Sequence, residues 1–412
     1  MFKTTKSLLV GAAMALGAST AMAGDLVINF DDPNPAPKAG FEAAVAAFKE
    51  ANPDVNVTVN INDREAHKTA IRNFLSADAP DITAWYPGNR MAPFVEAGQF
   101  EDISDLWASD PNLSTSFEAI KPTMTMDGKQ WGVPYSYYQW GIYYRKDLFD
   151  KVGITEEPKT FDELLGACDK LKEAGITPFT IGTKFLWTAA GVFDYLNLRT
   201  NGYEFHNDLT AGKVKYTDPK VKQTFENWKT MMDRCSFVDN HATMSWQDAL
   251  APFAKGEAAM YVMGNFAVAA MKDAGLKEDQ IDYFPFPEIT PGVARAEEAP
   301  ADALFIPAKA KNKEDARKFL AFIAQPEIQG VWNQTIGQLP PNSKAPVGDD
   351  KFIQQGFETV STASGLAQFY DRDAPAEMAK AGMEGFQEFM VKPDRLDDIL
   401  TRLDKVQERV YK

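Results

Sequence analysis

Beyond the first two dozen residues, the apolar positions switch between two periods. Leu26, Val27, Ile28, Asn29 and Phe30 form a short, almost continuous apolar run that stops at Asp31-Asp32-Pro33, the pattern of a strand buried on both faces. Across 39–52, Phe41, Val45 and Phe48 fall on one helical face, and Pro53 ends the segment. Val55, Val57, Val59 and Ile61 then alternate as a strand, and 64–75 returns to helical spacing with Ile71, Phe74 and Leu75. A third strand, 80–84, runs into Trp85-Tyr86-Pro87-Gly88, and a helix follows to about Ala97. This βαβαβα order predicts a largely parallel sheet with helices on its faces. Open sheets of this kind take ligands at the carboxyl ends of their strands, which singles out the loops 31–33, 62–64 and 85–89.

A second set of elements starts near Tyr135. Thr160, Phe161, Asp162 and Glu163 read as a capping box, with Thr160 facing the amide of Glu163 and the Glu163 side chain turned back to the amide of Thr160. A short strand is expected at 178–181 and a helix at 187–198. Asp218-Pro219 opens another helix, 245–255 a further one, and 258–262 a strand leading to Gly264-Asn265-Phe266 and one more helix. Residues 303–306 read as a strand and 313–324 as a helix with Ala316, Phe319, Leu320 and Ile323 inward. From about Pro341 the chain is mostly helical.

The start of the chain has a different character. Lys3 and Lys6 precede an apolar stretch, 8–18, too short to span a bilayer, and Ala21-Met22-Ala23 supplies small residues at the exit. This is the pattern of an export leader cleaved after Ala23, leaving the protein in the periplasm. No cysteine follows that stretch, so no lipid anchor is expected, and no later run is long enough for a membrane span. Removing the two leader lysines takes the net charge from −15 to −17. Such a chain does not suit nucleic acid or an anionic membrane as partner. With 412 residues, two lobes or domains are expected rather than one core. Export permits a disulfide between Cys168 and Cys235. Each cysteine, however, extends an apolar helical stripe, Phe161–Leu164–Leu165–Leu171 and Val221–Phe225–Trp228–Met232 respectively, and the pair reads as two buried free thiols.

The segment 127–171 is the most distinctive of the chain. It contains D-G-K-Q-W-G-V-P-Y, Y-Y-R-K-D-L-F-D-K-V-G-I and P-K-T-F-D-E-L. With F-K-E-A-N-P-D-V-N-V and A-D-A-P-D-I before it, and F-A-K-G-E-A-A-M-Y-V-M-G-N-F and F-I-P-A-K-A-K-N-K-E-D-A-R-K-F-L after it, the mature chain resembles the family 1 extracellular solute-binding proteins of carbohydrate ABC importers. The resemblance implies an α/β periplasmic binding protein-like fold of type II, with two lobes joined by a hinge. It assigns 24–135 and 303–340 to an N-terminal lobe, and 136–302 and 341–412 to a C-terminal lobe. It also implies a monomer with no cofactor and no metal. Such a protein captures a sugar, oligosaccharide or glycoside between its lobes, then delivers it unchanged to membrane permease subunits driven by a separate ATPase.

Sugars offer weakly polar C–H faces and rims of hydroxyls, so a binder needs flat rings together with fixed donors and acceptors. Asp31, Asp32, Asp63, Arg64, Trp85 and Tyr86 sit at the nominated strand ends, although each aspartate also fits the plain role of a cap. The alternation of Tyr135, Tyr137, Tyr138 and Trp140 places one parity on the cleft, and the resemblance favours Tyr138 and Trp140, leaving Tyr143 and Tyr144 to the core. It also favours Trp187, and Phe266 where the family often carries Trp. Asp194, Trp246, Asn265, Asp302, Gln338, Asp371 and Arg372 complete the candidate set at helix starts, crossings and a polar loop. Arg64, Arg90 and Arg372 leave room for an acidic or sulfonated sugar. A binder of polyamine, polyol or an iron complex is the competing reading. A glycoside hydrolase with two carboxylates is a weaker one. The three histidines lack metal-ligand spacing, and no nucleophile elbow or phosphate loop is present.

Overall fold

The computed structural model describes residues 25–411, so the leader and its cleavage after Ala23 lie outside the described residues. The described chain builds two main sheets, of five and four strands, beside two short two-stranded pairs. Strands β1 (Asp25–Phe30), β2 (Asn56–Ile61) and β3 (Ile82–Trp85) pair in parallel, with helices α1 (Pro35–Ala51) and α2 (Arg64–Ser76) as crossovers. Strand β4 (Gly132–Tyr137) completes this sheet at its far edge and is the last element of the first pass.

The chain passes to the other sheet at Tyr138-Gln139, and β5 (Trp140–Arg145) follows. The aromatic alternation from Tyr135 to Trp140 therefore does not run along one crossing strand. It spans the end of one strand, a two-residue link and the start of another, so parity is not carried across it.

The second sheet adds β6 (Thr177–Thr180), β7 (Ala258–Gly264) and β8 (Ile281–Phe284) in the order β8-β5-β7-β6. Around it lie α3 (Phe161–Glu173), with the expected capping box at Thr160 and Glu163, α4 (Trp187–Asn201) and α5 (Pro219–Cys235). Strand β9 (Ala301–Phe305) returns to the first sheet and inserts antiparallel between β3 and β4, so that sheet is evenly mixed, with two parallel and two antiparallel pairings, rather than largely parallel. Helices α6 (Lys313–Ile323) and α7 (Pro326–Ile336) follow it onto the first core. A third link joins them to α8 (Lys351–Ser361), α9 (Tyr370–Asp373), α10 (Ala376–Val391) and α11 (Leu396–Val410). At this link Leu339 exchanges two backbone hydrogen bonds with Tyr137.

Two separate cores result. In the first, Phe30 stacks on Phe41 at 4.1 Å and Tyr135 on Trp332 at 4.7 Å, so the returning α7 closes the core that β1 and α1 begin. In the second, Phe193 of α4 stacks on Phe386 of α10 at 4.1 Å beside Phe225 and Trp228 of α5. The final helices thus belong to the second core. Tyr143 and Tyr144 are buried in it as well, Tyr143 against Tyr283 and Phe352, Tyr144 against Phe149 and Phe284.

Two local expectations change. The helix expected across 245–255 begins only at Leu250, and the residues before it form a turn in which Ser245 and Asp248 exchange hydrogen bonds. Cys168 and Cys235 are bonded rather than free. Both cysteines do lie on apolar helix faces, but α3 and α5 pack those faces against each other and bring the two Cα atoms to 4.8 Å.

Candidate functional site

Between the two sheets lies a cleft of about 400 Å³, within the usual range for small-molecule sites. Its two sides are chemically different, and each follows from its own lobe.

The second lobe contributes ring faces. Trp140, the first residue of β5, is 1% exposed and packs edge-to-face on Trp187 at 5.9 Å and against Phe369 at 4.8 Å. Phe266 touches Tyr138 at 5.1 Å and Trp246 at 5.4 Å, both edge-to-face. These crossed rings fix one another's orientation and form a wall that needs no rearrangement on binding. Trp187 is set at the wall's edge by an unusual turn. Leu186 has φ 71° and ψ −42°, and the amide of Trp187 donates to the carbonyl of Phe185 at 2.8 Å, a γ-turn of the strained kind.

The first lobe contributes charge. Asp63 caps α2 by accepting from the amides of Glu65 and Ala66, which places Arg64 at the first helical position facing the cleft. The Arg64 guanidinium lies 3.0 Å from Asp32, 3.7 Å from Asp302 and 3.9 Å from Asp31. Arg372 arrives from α9 on the other lobe and donates to Asp302 at 3.0 Å, to the Tyr138 hydroxyl at 2.9 Å and to the Ala301 carbonyl. Its guanidinium also sits 4.4 Å from the Tyr86 ring. Burial pushes the Asp32 carboxyl up from its ordinary value, against the opposing pull of Arg64.

The structure brings together Asp32, Asp63, Arg64, Tyr86, Tyr138, Trp140 and Trp187 along the cleft, and also Trp246, Phe266, Asp302, Gln338, Asp371 and Arg372. Four candidates lie elsewhere. Trp85 is a core residue, 4% exposed, its indole donating to the Arg90 carbonyl at 2.9 Å and its ring crossed with Phe94. The reason is that β3 is buried on both faces, so only Tyr86, just past its end, emerges. Asp31 sits one layer below Asp32 and touches the cleft only through Arg64 and the Tyr86 hydroxyl. Asn265 is fully buried and ties its amide to the Gln139 carbonyl at 3.1 Å. Asp194 lies inside the second lobe, where its carboxylate accepts from the Tyr370 amide at 2.9 Å. Sequence reasoning did not find Phe369, Lys68, or Lys184 and Phe185 beside Trp187, all of which line the cleft. Only the last pair carried a signal, their adjacency to Trp187.

Removing the outer ring tests the wall. Trp187→Ala is expected to weaken ligand binding about tenfold while Trp187→Phe retains most of it, because the loss is one ring face and its crossed contact. Titration calorimetry with a binding sugar reads this out, and equal affinity for wild type and alanine variant would contradict the assignment.

Asp194 has a second consequence. It faces Glu298, and neither Glu298 oxygen finds a donor among neighbouring groups, so the two carboxyls satisfy each other only when one holds a proton. Burial pushes Asp194 up to about 8 and nearby Asp373 up to about 7, and raises Glu298 well above its ordinary value, reinforced by Asp194 and Glu297. A carboxyl raised in the folded state favours folding below its unfolded value, and that contribution is lost as pH rises through the folded one. Buried His206, pushed down to about 4, acts oppositely, but its contribution is complete above its ordinary 6.5. The melting temperature should therefore fall between about pH 6.5 and 9, and fall less steeply in Glu298→Gln. Identical slopes for the two proteins in a pH series of thermal melts would refute this.

Two sheets with their own cores, three links between them and a built cleft at the junction define a two-lobed binding protein. Residues 32–330 match the family model described as bacterial extracellular solute-binding protein, and the chain belongs to that family. A protein of Pyrococcus horikoshii named an uncharacterized ABC transporter extracellular-binding protein is 29% identical over 329 residues, 78% of this chain and 72% of its own length. The multiple sugar-binding protein of Streptococcus mutans is 24% identical over 370 residues, 85% of this chain and 86% of its own. Among solved structures, the bacterial solute receptor AcbH, described as preferring β-D-galactopyranose exclusively, superposes with a TM-score of 0.88 at 26% identity, covering 95% of this chain and all of that one.

Proposed function

We propose that this chain is the periplasmic capture subunit of a carbohydrate ABC importer. It takes a sugar, oligosaccharide or glycoside into the cleft and hands it to the membrane permease chemically unchanged. It acts as a monomer without cofactor and without enzymatic activity, after removal of the leader at Ala23. The observation that carries the reading is the composite cleft, with flat rings from the second lobe beside a carboxylate–guanidinium network in which Asp32, Arg64 and Asp302 of the first lobe meet Arg372 of the second. This is the combination that C–H faces and hydroxyl rims require. The similar proteins given above point the same way. The two bodies that move are the segments 24–135 with 303–340 and 136–302 with 341–412, except that Ser136, Tyr137, Ala301 and Asp302 travel with the first, to whose sheet they belong. Sugar contacting both lobes binds the closed form more tightly and shifts the population toward it.

The test is a thermal-shift panel of neutral mono- and disaccharides, polyamines and ferric complexes. A sugar held at about one hundred times its dissociation constant adds about 2.7 kcal/mol to stability, a clear rise in melting temperature. The same sugar should reduce the radius of gyration in solution scattering, and mass spectrometry should recover it intact. A rise with polyamine or iron alone, or a cleaved sugar, would overturn the reading.

A further inference from the structure

We propose that the cleft accepts uncharged saccharides and rejects sugar acids and sugar phosphates. This rests on the carbohydrate reading and narrows it. The presence of Arg64 and Arg372 suggests the opposite at the level of sequence, since arginine forks suit carboxylates and phosphates. In the fold both forks are already engaged. Arg64 spans Asp32 and Asp302, with Asp31 behind it. Arg372 is used by Asp302, the Ala301 carbonyl and the Tyr138 hydroxyl, with Tyr86 stacked on its plane. Lys68 pairs with Glu65 at 3.0 Å. Arg90, the third arginine of the sequence reading, is not a cleft residue and lies over the Trp85 ring.

The balance of charge points the same way. The cleft lining holds seven carboxylates and four cationic side chains, so the local field is negative. An anionic ligand would have to displace a carboxylate from an arginine or sit beside an excess of like charge, and like-charge juxtaposition in a desolvated site costs several kcal/mol. A hydroxyl faces no such conflict, since it donates to the carboxylates while the guanidinium groups keep their partners. The lining side chains that retain a buried polar atom without a partner are also uncharged. They are the indole N–H of Trp140 and the amide oxygen of Gln338, one donor and one acceptor. Selection here works by occupying both arginines and Lys68 in advance, a built-in element against the wrong ligand, while Lys184 lies at the edge over the Phe185 ring and pairs with no carboxylate among the described residues.

The experiment compares each neutral sugar with its acid by titration calorimetry on the mature protein. The probes are galactose with galacturonate, glucose with glucuronate, lactose with lactobionate, and galactose with galactose 6-phosphate. At least one neutral sugar binds, and its acid and phosphate bind at least about tenfold more weakly. In Asp302→Asn, which frees one arm of each arginine, the ratio between neutral sugar and acid shrinks. An acid that binds wild type within about threefold of its neutral counterpart overturns the proposal and leaves the carbohydrate reading intact. A ratio unchanged in Asp302→Asn also overturns it. If a sugar acid alone binds, charge selection is wrong and sugar capture stands. If no sugar binds, both fail.

Discussion

Arg64→Ala is expected to weaken sugar binding by at least about a hundredfold, the largest loss of affinity from any single cleft substitution. Arg64 lies within 4 Å of three carboxylates, Asp31, Asp32 and Asp302. Two of these, Asp31 and Asp302, are no more than 4% exposed, and Asp32 is 8% exposed. Removing one partner of a buried ion pair costs about 3–5 kcal/mol, chiefly because the other charge stays behind without compensation. In this cleft the carboxylates would respond by taking up protons or drawing in water, and either change alters the hydroxyl acceptors that a sugar needs. Arg64→Lys restores the charge but not the planar fork, so it should recover stability more than affinity. Calorimetric titration and thermal melts of the three proteins separate the two effects. An alanine variant binding within about threefold of wild type would mean that the charged network is structural only.

Loss of the disulfide is expected to give the largest change in stability. Cys168 and Cys235 are 67 residues apart, and closing a loop of that length removes about 4 kcal/mol of chain entropy from the unfolded state. In a lobe of this size that corresponds to a fall of roughly 10 °C in melting temperature. The double variant Cys168→Ser/Cys235→Ser, or the wild type under reductant, should show it by calorimetry. Sugar affinity should stay within about twofold, since neither cysteine lines the cleft. An unchanged melting temperature would show that the packing of α3 on α5 alone sets the stability of that lobe.

The sequence was most informative where one periodicity decided the matter. The first three strands and two helices follow from runs such as 26–30 and from Phe41, Val45 and Phe48, because a half-buried helix repeats its apolar face and a doubly buried strand does not alternate. Those same doubly buried strands hide which residue at their end reaches the cleft. Trp85 and Tyr86 are adjacent aromatics after one run, and only the backbone path past β3 assigns the first to the core and the second to the cleft. Asp194 was illegible for a related reason. Helix α4 is buried almost all round, so a polar residue on it has no solvent face to mark by contrast. The cysteines failed differently: periodicity placed each on its correct face, but nothing in one dimension says that two apolar faces meet. Phe369 carried no local signal, because its role comes from Trp140, more than two hundred residues away.

Strand β9 carries a consequence for the order in which the fold can close. It inserts between β3 and β4, so two parts of one sheet made early have no bridge until residue 305 has emerged. A chain made from its amino end therefore cannot complete that half early. The late strand works as a built-in delay, letting that half fasten only once most of the chain has been made.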